Sequence, residues 1–123
     1  MTTHGVLVHA GRVIGPATRA DSRAERRVGL LHSSTVDGVL HLPGVTAVHT
    51  IGMAFAIDVA FVRSGAVLAI CTMRPGRLGR RRWRADAALE ALAGSFAAWH
   101  IGVGDVVELR YESRAEGSRA TAP

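Results

Sequence analysis

Three side chains that could do acid–base chemistry lie within ten residues of one another. His49 and Thr50 precede a glycine turn, and Asp58 lies in an otherwise apolar run. A partly desolvated carboxylate has a raised pKa that suits proton transfer, and an imidazole beside it could share the work. With Met53 from the turn, these side chains could line one polar, ligand-binding notch.

A structural interpretation of the same residues stays open. An unpaired buried carboxylate is costly, so Asp58 could instead accept amide hydrogen bonds from the Thr50–Met53 turn or pair with an arginine. The notch residues, with His41 from a neighbouring strand, would then only satisfy one another's hydrogen bonds. The alternatives are a non-catalytic binding or accessory module, a small hydrolase or lyase that uses Asp58 and His49, and a purely structural role. Whether the protein is an enzyme is left open.

A second cluster is the basic segment 74–84, which contains six arginines, no acidic residue and one tryptophan. Guanidinium groups bind phosphates and aromatic rings stack on bases, so this segment could bind nucleic acid. The residues with this predicted role are Arg77, Arg80, Arg81, Arg82, Trp83 and Arg84. The alternatives are a solvated, mobile loop and the codon usage of a GC-rich genome. Arg23, Arg26 and Arg27 would support nucleic-acid binding only if they lie on the same face.

Other function classes lack their signatures in this sequence. The six histidines are scattered without metal-ligand spacing, and no phosphate-binding loop, dinucleotide fingerprint or nucleophile elbow is present. We therefore expect no metal and no cofactor. The partners that the sequence suggests are an anionic ligand or nucleic acid, bound by the basic segment.

Composition indicates one globular domain. The chain has 123 residues with 48% hydrophobic content, a net charge of +5 and arginine as its only basic residue besides histidine. A single cysteine, Cys71, precludes an intrachain disulfide and suits a reducing compartment. Because we find no signal peptide and no apolar run long enough to span a bilayer, we expect a cytoplasmic protein. We predict a single domain over residues 1–112 and a disordered tail over 113–123.

The strand signals predict an α+β fold. We expect a mostly β, compact, curled antiparallel or mixed sheet, barrel-like, with two or three short helices. The predicted strands are a hairpin about Ala10–Gly11, with its second run at an edge or ended by Pro16, then Gly38–Leu42, Ala56–Val62, Ala66–Thr72 and Val106–Tyr111. Ser22 and Glu25 form a capping-box pattern for a helix over Arg23–Leu31, and Ser95 could cap a short helix through Trp99.

Three segments together resemble the DUF192 family. They are Ala20–Leu31, Val48–Val62, which contains His-Thr-Ile-Gly-Met and Ile-Asp-Val, and Leu89–Gly94 followed by a Gly-Asp turn at 104–105. The resemblance runs from about Val13 to Arg110, and it departs from the family pattern at Ala56 and at Ala91-Leu92, where the family has proline. It implies a compact, mostly β fold. It also implies that residues 87–92, which helix propensity alone assigns to a helix, form a strand.

Overall fold

The protein folds as a seven-stranded sheet in a computed structural model, which describes residues 2–22, 25 and 37–112. The order of the strands in the sheet is β5-β4-β6-β3-β2-β1-β7. The β2–β3 pair is parallel and the other pairs are antiparallel. The elements are β1 (Thr2–His9), β2 (Arg12–Ala20), β3 (Val39–Pro43), β4 (Ile57–Arg63), β5 (Ala66–Met73), β6 (Ala87–Leu92), the helix α1 (Ser95–Ala98) and β7 (Val107–Tyr111).

The sheet curls into a half-barrel. Two strands separate β3 from β7, so a flat sheet would hold them about 14 Å apart. The rings of His41 on β3 and Tyr111 on β7 nevertheless stack with their centroids 5.8 Å apart. The outermost strands also meet at one corner, where the Val107 amide donates to the Gly65 carbonyl at 2.9 Å. The mostly β, curled and mixed sheet predicted from the sequence is therefore confirmed.

Both faces of the sheet carry a core. All seven strands contribute to the core on the concave face, together with Phe96 and Ile101 from α1 and the segment after it. The opposite face buries Phe61 and Leu42 under the segments that precede β4 and follow β5. Because β4 lies between these two cores, every residue from 57 to 62 is buried, as a run that is apolar on both faces predicts.

The two predicted hairpins are confirmed. Ala10 and Gly11 turn the chain between β1 and β2, and Ser64 and Gly65 turn it between β4 and β5. All four residues have positive φ, the geometry that tight hairpin turns require. Residues 87–92 form β6, as the family resemblance implied. Pairing with β3 on one side and β4 on the other stabilises a strand by more than the helix propensity of these residues disfavours it.

The expected effect of Pro16 on β2 was wrong. Pro16 lies inside β2, which is flanked by β1 and β3, and pairs with Val6. The strand tolerates a residue without an amide donor because its pairing with β3 begins only at Ala17.

The helix predictions are met in part. In the described residues the helix is α1, and Gly94 rather than Ser95 is its N-cap, without a side-chain cap bond. Of the helix predicted over Arg23–Leu31, the structure describes Glu25 alone, which is helical, and the tail over 113–123 falls outside the described residues. The capping-box contacts before that helix are present: the Ser22 amide donates to Glu25 Oε1 at 3.1 Å, and the Glu25 amide donates to Ser22 Oγ at 3.0 Å.

In residues 2–22, 25 and 37–112, no helix has the length and apolar character needed to cross a bilayer.

We predict that Gly5 is required for the pairing of β1 with β7. A Cβ atom there would lie 2.1 Å from the Arg110 carbonyl oxygen and 2.6 Å from the Tyr111 ring. Gly5→Ala should lower the free energy of unfolding by about 1–3 kcal/mol, as overpacking does. Gly15→Ala is the control, because a Cβ on Gly15 meets nothing within 4 Å. Urea denaturation of both variants measures the difference, and equal stabilities would contradict the prediction.

Candidate functional site

Asp58 is buried and both of its carboxylate oxygens have partners. It is 4% exposed at the start of β4. Oδ1 accepts a hydrogen bond from the Thr72 hydroxyl at 2.6 Å, and Oδ2 accepts one from the Gly94 amide at 2.9 Å. The expected partners in the Thr50–Met53 turn are therefore not the ones observed. The carboxylate joins the beginning of β4 to the end of β5 and to the N-cap of α1.

Thr50 is fully buried and organises the chain that follows β5. Its hydroxyl donates to the Arg74 carbonyl at 2.6 Å and accepts from the Arg77 amide at 2.9 Å. Its own carbonyl accepts the Gly76 amide at 2.8 Å and the Met53 amide at 3.1 Å. A hydroxyl placed between one acceptor and one donor of a distant loop fixes the path of that loop.

The three notch residues have separate partners. The His49 side chain is exposed, and its backbone forms a β-bridge with Leu78. Met53 is 8% exposed and packs in the core. Within the described residues, no hydrogen bond or ion pair joins His49, Thr50 and Asp58. The structure therefore ties Thr50 to the basic segment and Asp58 to the ends of the neighbouring strands.

The segment Arg74–Arg84, which we call the arginine platform, has a fixed main chain. Its amides and carbonyls pair with residues 46–50 at three points along its length. At Thr50, the Gly76 amide donates to Thr50 O and the Thr50 amide donates to Arg77 O, both at 2.8 Å. The other two bonds are Gly79 N–H to Val48 O at 2.9 Å and Arg82 N–H to Thr46 O at 2.7 Å. A Cβ atom on Gly79 would lie 2.3 Å from Val48 O, so the two segments approach as closely as glycine permits. The main chain of the platform is therefore anchored along its length.

The platform presents arginines beside an aromatic ring. Trp83 is 80% exposed. The Arg81 guanidinium carbon lies 4.8 Å from the Trp83 ring centroid, and its Nη1 donates to Thr46 Oγ1 at 3.0 Å. Arg82 is partly buried, and its Nε is a buried donor without a hydrogen-bond partner. The arrangement places an accessible stacking surface beside a cationic side chain.

The arginines of the platform form no ion pair with the carboxylates that the structure describes. In the part of the chain that the structure describes, the ion pairs join His9 to Asp105, Arg19 to Asp21 and Arg110 to Glu108. None of them includes a platform arginine. Charges without carboxylate partners create a positive potential that attracts anions.

Two grooves separate the platform from the face of β5. The first has a volume of about 420 Å³ and is lined on its apolar side by Phe61, Cys71 and Met73. The second has a volume of about 360 Å³, with Leu68, Ala69 and Trp83 in its lining. Both grooves also contain Arg80 and Arg82. Each groove thus has an apolar floor and a cationic rim.

A polar cluster on the concave face escaped the sequence analysis. The Tyr111 hydroxyl is 2.8 Å from His41 Nδ1, and the Arg19 guanidinium carbon lies 4.8 Å from the Tyr111 ring centroid. Burial, reinforced by the Arg19 cation, lowers the pKa of His41 to about 4. Burial also raises the pKa of Tyr111 to about 12. These residues come from β2, β3 and β7, so only the curl of the sheet brings them together. His41 belongs to this cluster, not to the notch.

Glu90 is a second polar residue that lies buried within the sheet. It lies in the middle of β6, paired with Leu40 on one side and Val59 on the other, and is 4% exposed. In the sequence, Glu90 is recognisable as a carboxylate at the centre of a short run, with an apolar residue on each side of it.

Comparison with known proteins places the chain in a family. The model of DUF192, described as an uncharacterized ACR, matches residues 7–109. The chain belongs to the DUF192 family. No match was found among curated proteins.

Two crystal structures share the fold of this DUF192 chain. A proposed transcription regulator from Sinorhizobium meliloti 1021 has a TM-score of 0.74 and 20% identity, over 89% of this chain and 94% of that one. A protein of unknown function from Novosphingobium aromaticivorans DSM 12444 has a TM-score of 0.57 and 18% identity, over 87% of this chain and 82% of that one. At these identities the likeness concerns the fold.

We predict that Asp58→Ala destabilises this DUF192 protein without any ligand present. The change leaves the Gly94 amide and the Thr72 hydroxyl without their acceptor, and the loss should be about 2–4 kcal/mol in the free energy of unfolding. Thr72→Val is the comparison and should cost less, about 1 kcal/mol, because it removes the donor to one oxygen of Asp58 while the Gly94 amide still bonds the other. A wild-type stability for Asp58→Ala in urea would refute the structural role.

We also predict a pH dependence of stability from His41. Its folded pKa of about 4 lies below the ordinary value of 6.5, so the unfolded chain binds the proton first. Stability should fall as the pH drops from about 6.5 towards 4 and be unaffected by this group above that range. Because the ring is only partly buried, we expect a loss of roughly 1–2 kcal/mol after screening. In His41→Gln, the thermal unfolding temperature should change less between pH 7 and pH 5 than it does in the wild-type protein. The same change with pH in both proteins would exclude His41 as the source.

Proposed function

We propose that this DUF192 protein is a non-catalytic binding module that holds single-stranded nucleic acid on the arginine platform. The observation that carries the proposal is a set of six arginines without carboxylate partners among the described residues, on a main chain anchored to residues 46–50. Guanidinium groups suit phosphate oxygens because they donate several hydrogen bonds in a fixed plane.

The exposed tryptophan favours an unpaired strand as the ligand. Arg81 lies against one side of Trp83, and the ring as a whole is 80% exposed. A base can stack on such a ring only where it is not already paired and stacked within a duplex. Phosphate contacts by the arginines and base contacts by Trp83 together match the way single strands are bound without strong sequence preference.

The notch and the enzyme alternatives have less support. A hydrolase or lyase would need Asp58 and His49 to share a reacting atom, yet both oxygens of Asp58 bond to Thr72 and Gly94. The Thr50 hydroxyl is likewise occupied within the fold. A ligand site built on these residues would first have to break bonds that hold the strands and the platform in place.

The name of the Sinorhizobium meliloti relative, a proposed transcription regulator, agrees with a nucleic-acid partner. That name concerns the other protein, and the likeness is one of fold. For this chain the proposal depends on the platform alone.

Salt titration tests the proposal. We expect fluorescence anisotropy to detect binding of a labelled single-stranded 12-mer of DNA or RNA near 50 mM salt, and affinity to fall steeply at higher salt. With about four phosphate contacts the slope of log K against log salt should be about −3. Arg80→Ser combined with Arg84→Ser should weaken binding by about tenfold or more and reduce the slope by about 1.4.

The control variant loses the same number of positive charges, but at positions outside the platform. Arg12 and Arg110 are exposed on β2 and β7, so replacing both with serine removes two charges without touching the platform. This variant should bind within about threefold of wild type, because distant charges are screened. Equal losses in both double variants, or no binding of the wild-type protein at low salt, would refute a specific role for the platform.

A further inference from the structure

Each of the two grooves beside β5 has apolar residues and arginines in its lining, which suit the base and the phosphate of one nucleotide. Cys71 and Leu78 line the first groove, and Leu68 and Ala69 line the second. Their apolar floors suit the face of a planar base, and the arginines around them suit a phosphate. Each volume falls within the roughly 300–1,000 Å³ of ordinary small-ligand sites.

Two arginines lie where the grooves adjoin. Arg80 and Arg82 line both grooves. An anion held between the grooves would therefore lie beside both arginines, and guanidinium groups suit phosphate oxygens. In a nucleic-acid strand, the group that lies between two consecutive nucleosides is a phosphate.

Most of the outer edge of β5 is not paired with another strand of the described sheet. β5 is the last strand in the order, and beyond it the backbone pairs with residues 104–107 only near its start, at Gly65–Val67. The stretch from Leu68 to Met73 is about 20 Å long at the usual rise per residue of a strand. It offers room for consecutive nucleotides laid along the strand.

We infer that the two grooves hold two consecutive unpaired nucleotides, with their bases against β5 and the phosphate between them on Arg80 and Arg82. This inference rests on the proposed function and names the unit that the platform recognises. A duplex is excluded from this mode, since its bases are paired inside the helix and cannot reach the floors of the grooves. The shortest ligand that uses the whole site is a dinucleotide.

Cys71 provides a direct report on the first groove. It is the only cysteine of the chain and lines that groove. Burial raises the pKa of the Cys71 thiol, so alkylation by iodoacetamide is best followed at about pH 8.5, near the ordinary pKa of a thiol. Mass spectrometry measures the rate of alkylation with no ligand, with oligothymidylate and with a duplex of the same length, each at about ten times its own Kd.

Bound single strand should slow alkylation by about tenfold, because only about a tenth of the protein is then free. The duplex should give no protection at the same occupancy, since it contacts the arginines without entering the groove. Equal rates with and without the single strand, or equal protection by strand and duplex, would overturn the inference.

A substitution in the second groove tests the same model without changing charge. Ala69 is partly exposed on β5 and lines that groove, so Ala69→Phe fills the groove from its floor. It should weaken oligothymidylate binding by about tenfold, as losing one stacked base does. Val13→Phe, at a residue that is 63% exposed on β2, is the control and should bind as wild type. Circular dichroism establishes that both variants are folded.

The outcomes separate the inference from the proposed function. If wild-type protein binds with steep salt dependence while Cys71 stays unprotected and a folded Ala69→Phe binds normally, the arginines hold phosphates alone. The function would then stand and the inference would fall. If Ala69→Phe does not fold, the alkylation rates on wild-type protein decide. If no oligonucleotide binds at low salt, both proposals fail together.

Discussion

The buried hydroxyl of Thr50 is the interaction on which the arrangement of the basic segment depends. It donates to the Arg74 carbonyl and accepts from the Arg77 amide, so it supplies both hydrogen bonds that the turn after β5 would otherwise lack. A side chain buried among main-chain groups has no water with which to replace these bonds. The glycine turn that starts at Thr50 is therefore the support of the arginine platform rather than one wall of a catalytic notch.

The same logic accounts for Asp58. A buried carboxylate near the start of an apolar strand is tolerated when its oxygens accept hydrogen bonds, and Asp58 accepts from the Gly94 amide and the Thr72 hydroxyl. These donors come from the N-cap of α1 and from the end of β5. Thr50 and Asp58, two of the residues predicted to line a ligand-binding notch, thus each connect segments that are distant in the chain.

The sequence was most informative where structure is decided locally. The β4–β5 hairpin follows from Ser64 and Gly65, which take positive φ between two apolar runs. Residues 87–92 could not be assigned from propensity, because Ala, Leu and Glu favour a helix and only the slot between two strands makes a strand preferable. The partners of Asp58 and Thr50 lie 14 to 36 residues away in the chain, and no local pattern encodes such contacts.

The codon usage of a GC-rich genome would explain the number of arginines but not the way the platform is held. Codon usage changes how frequent arginine is in the whole chain. It does not favour arginines in one segment whose main chain is fixed by hydrogen bonds. Here the segment that carries six of the fifteen arginines is tied to residues 46–50 by backbone hydrogen bonds. Gly79 permits a contact with Val48 that any larger residue would prevent. Preorganisation of this kind lowers the entropy lost when flexible cations close on a ligand, which is the physical reason to look for function on this face of β5.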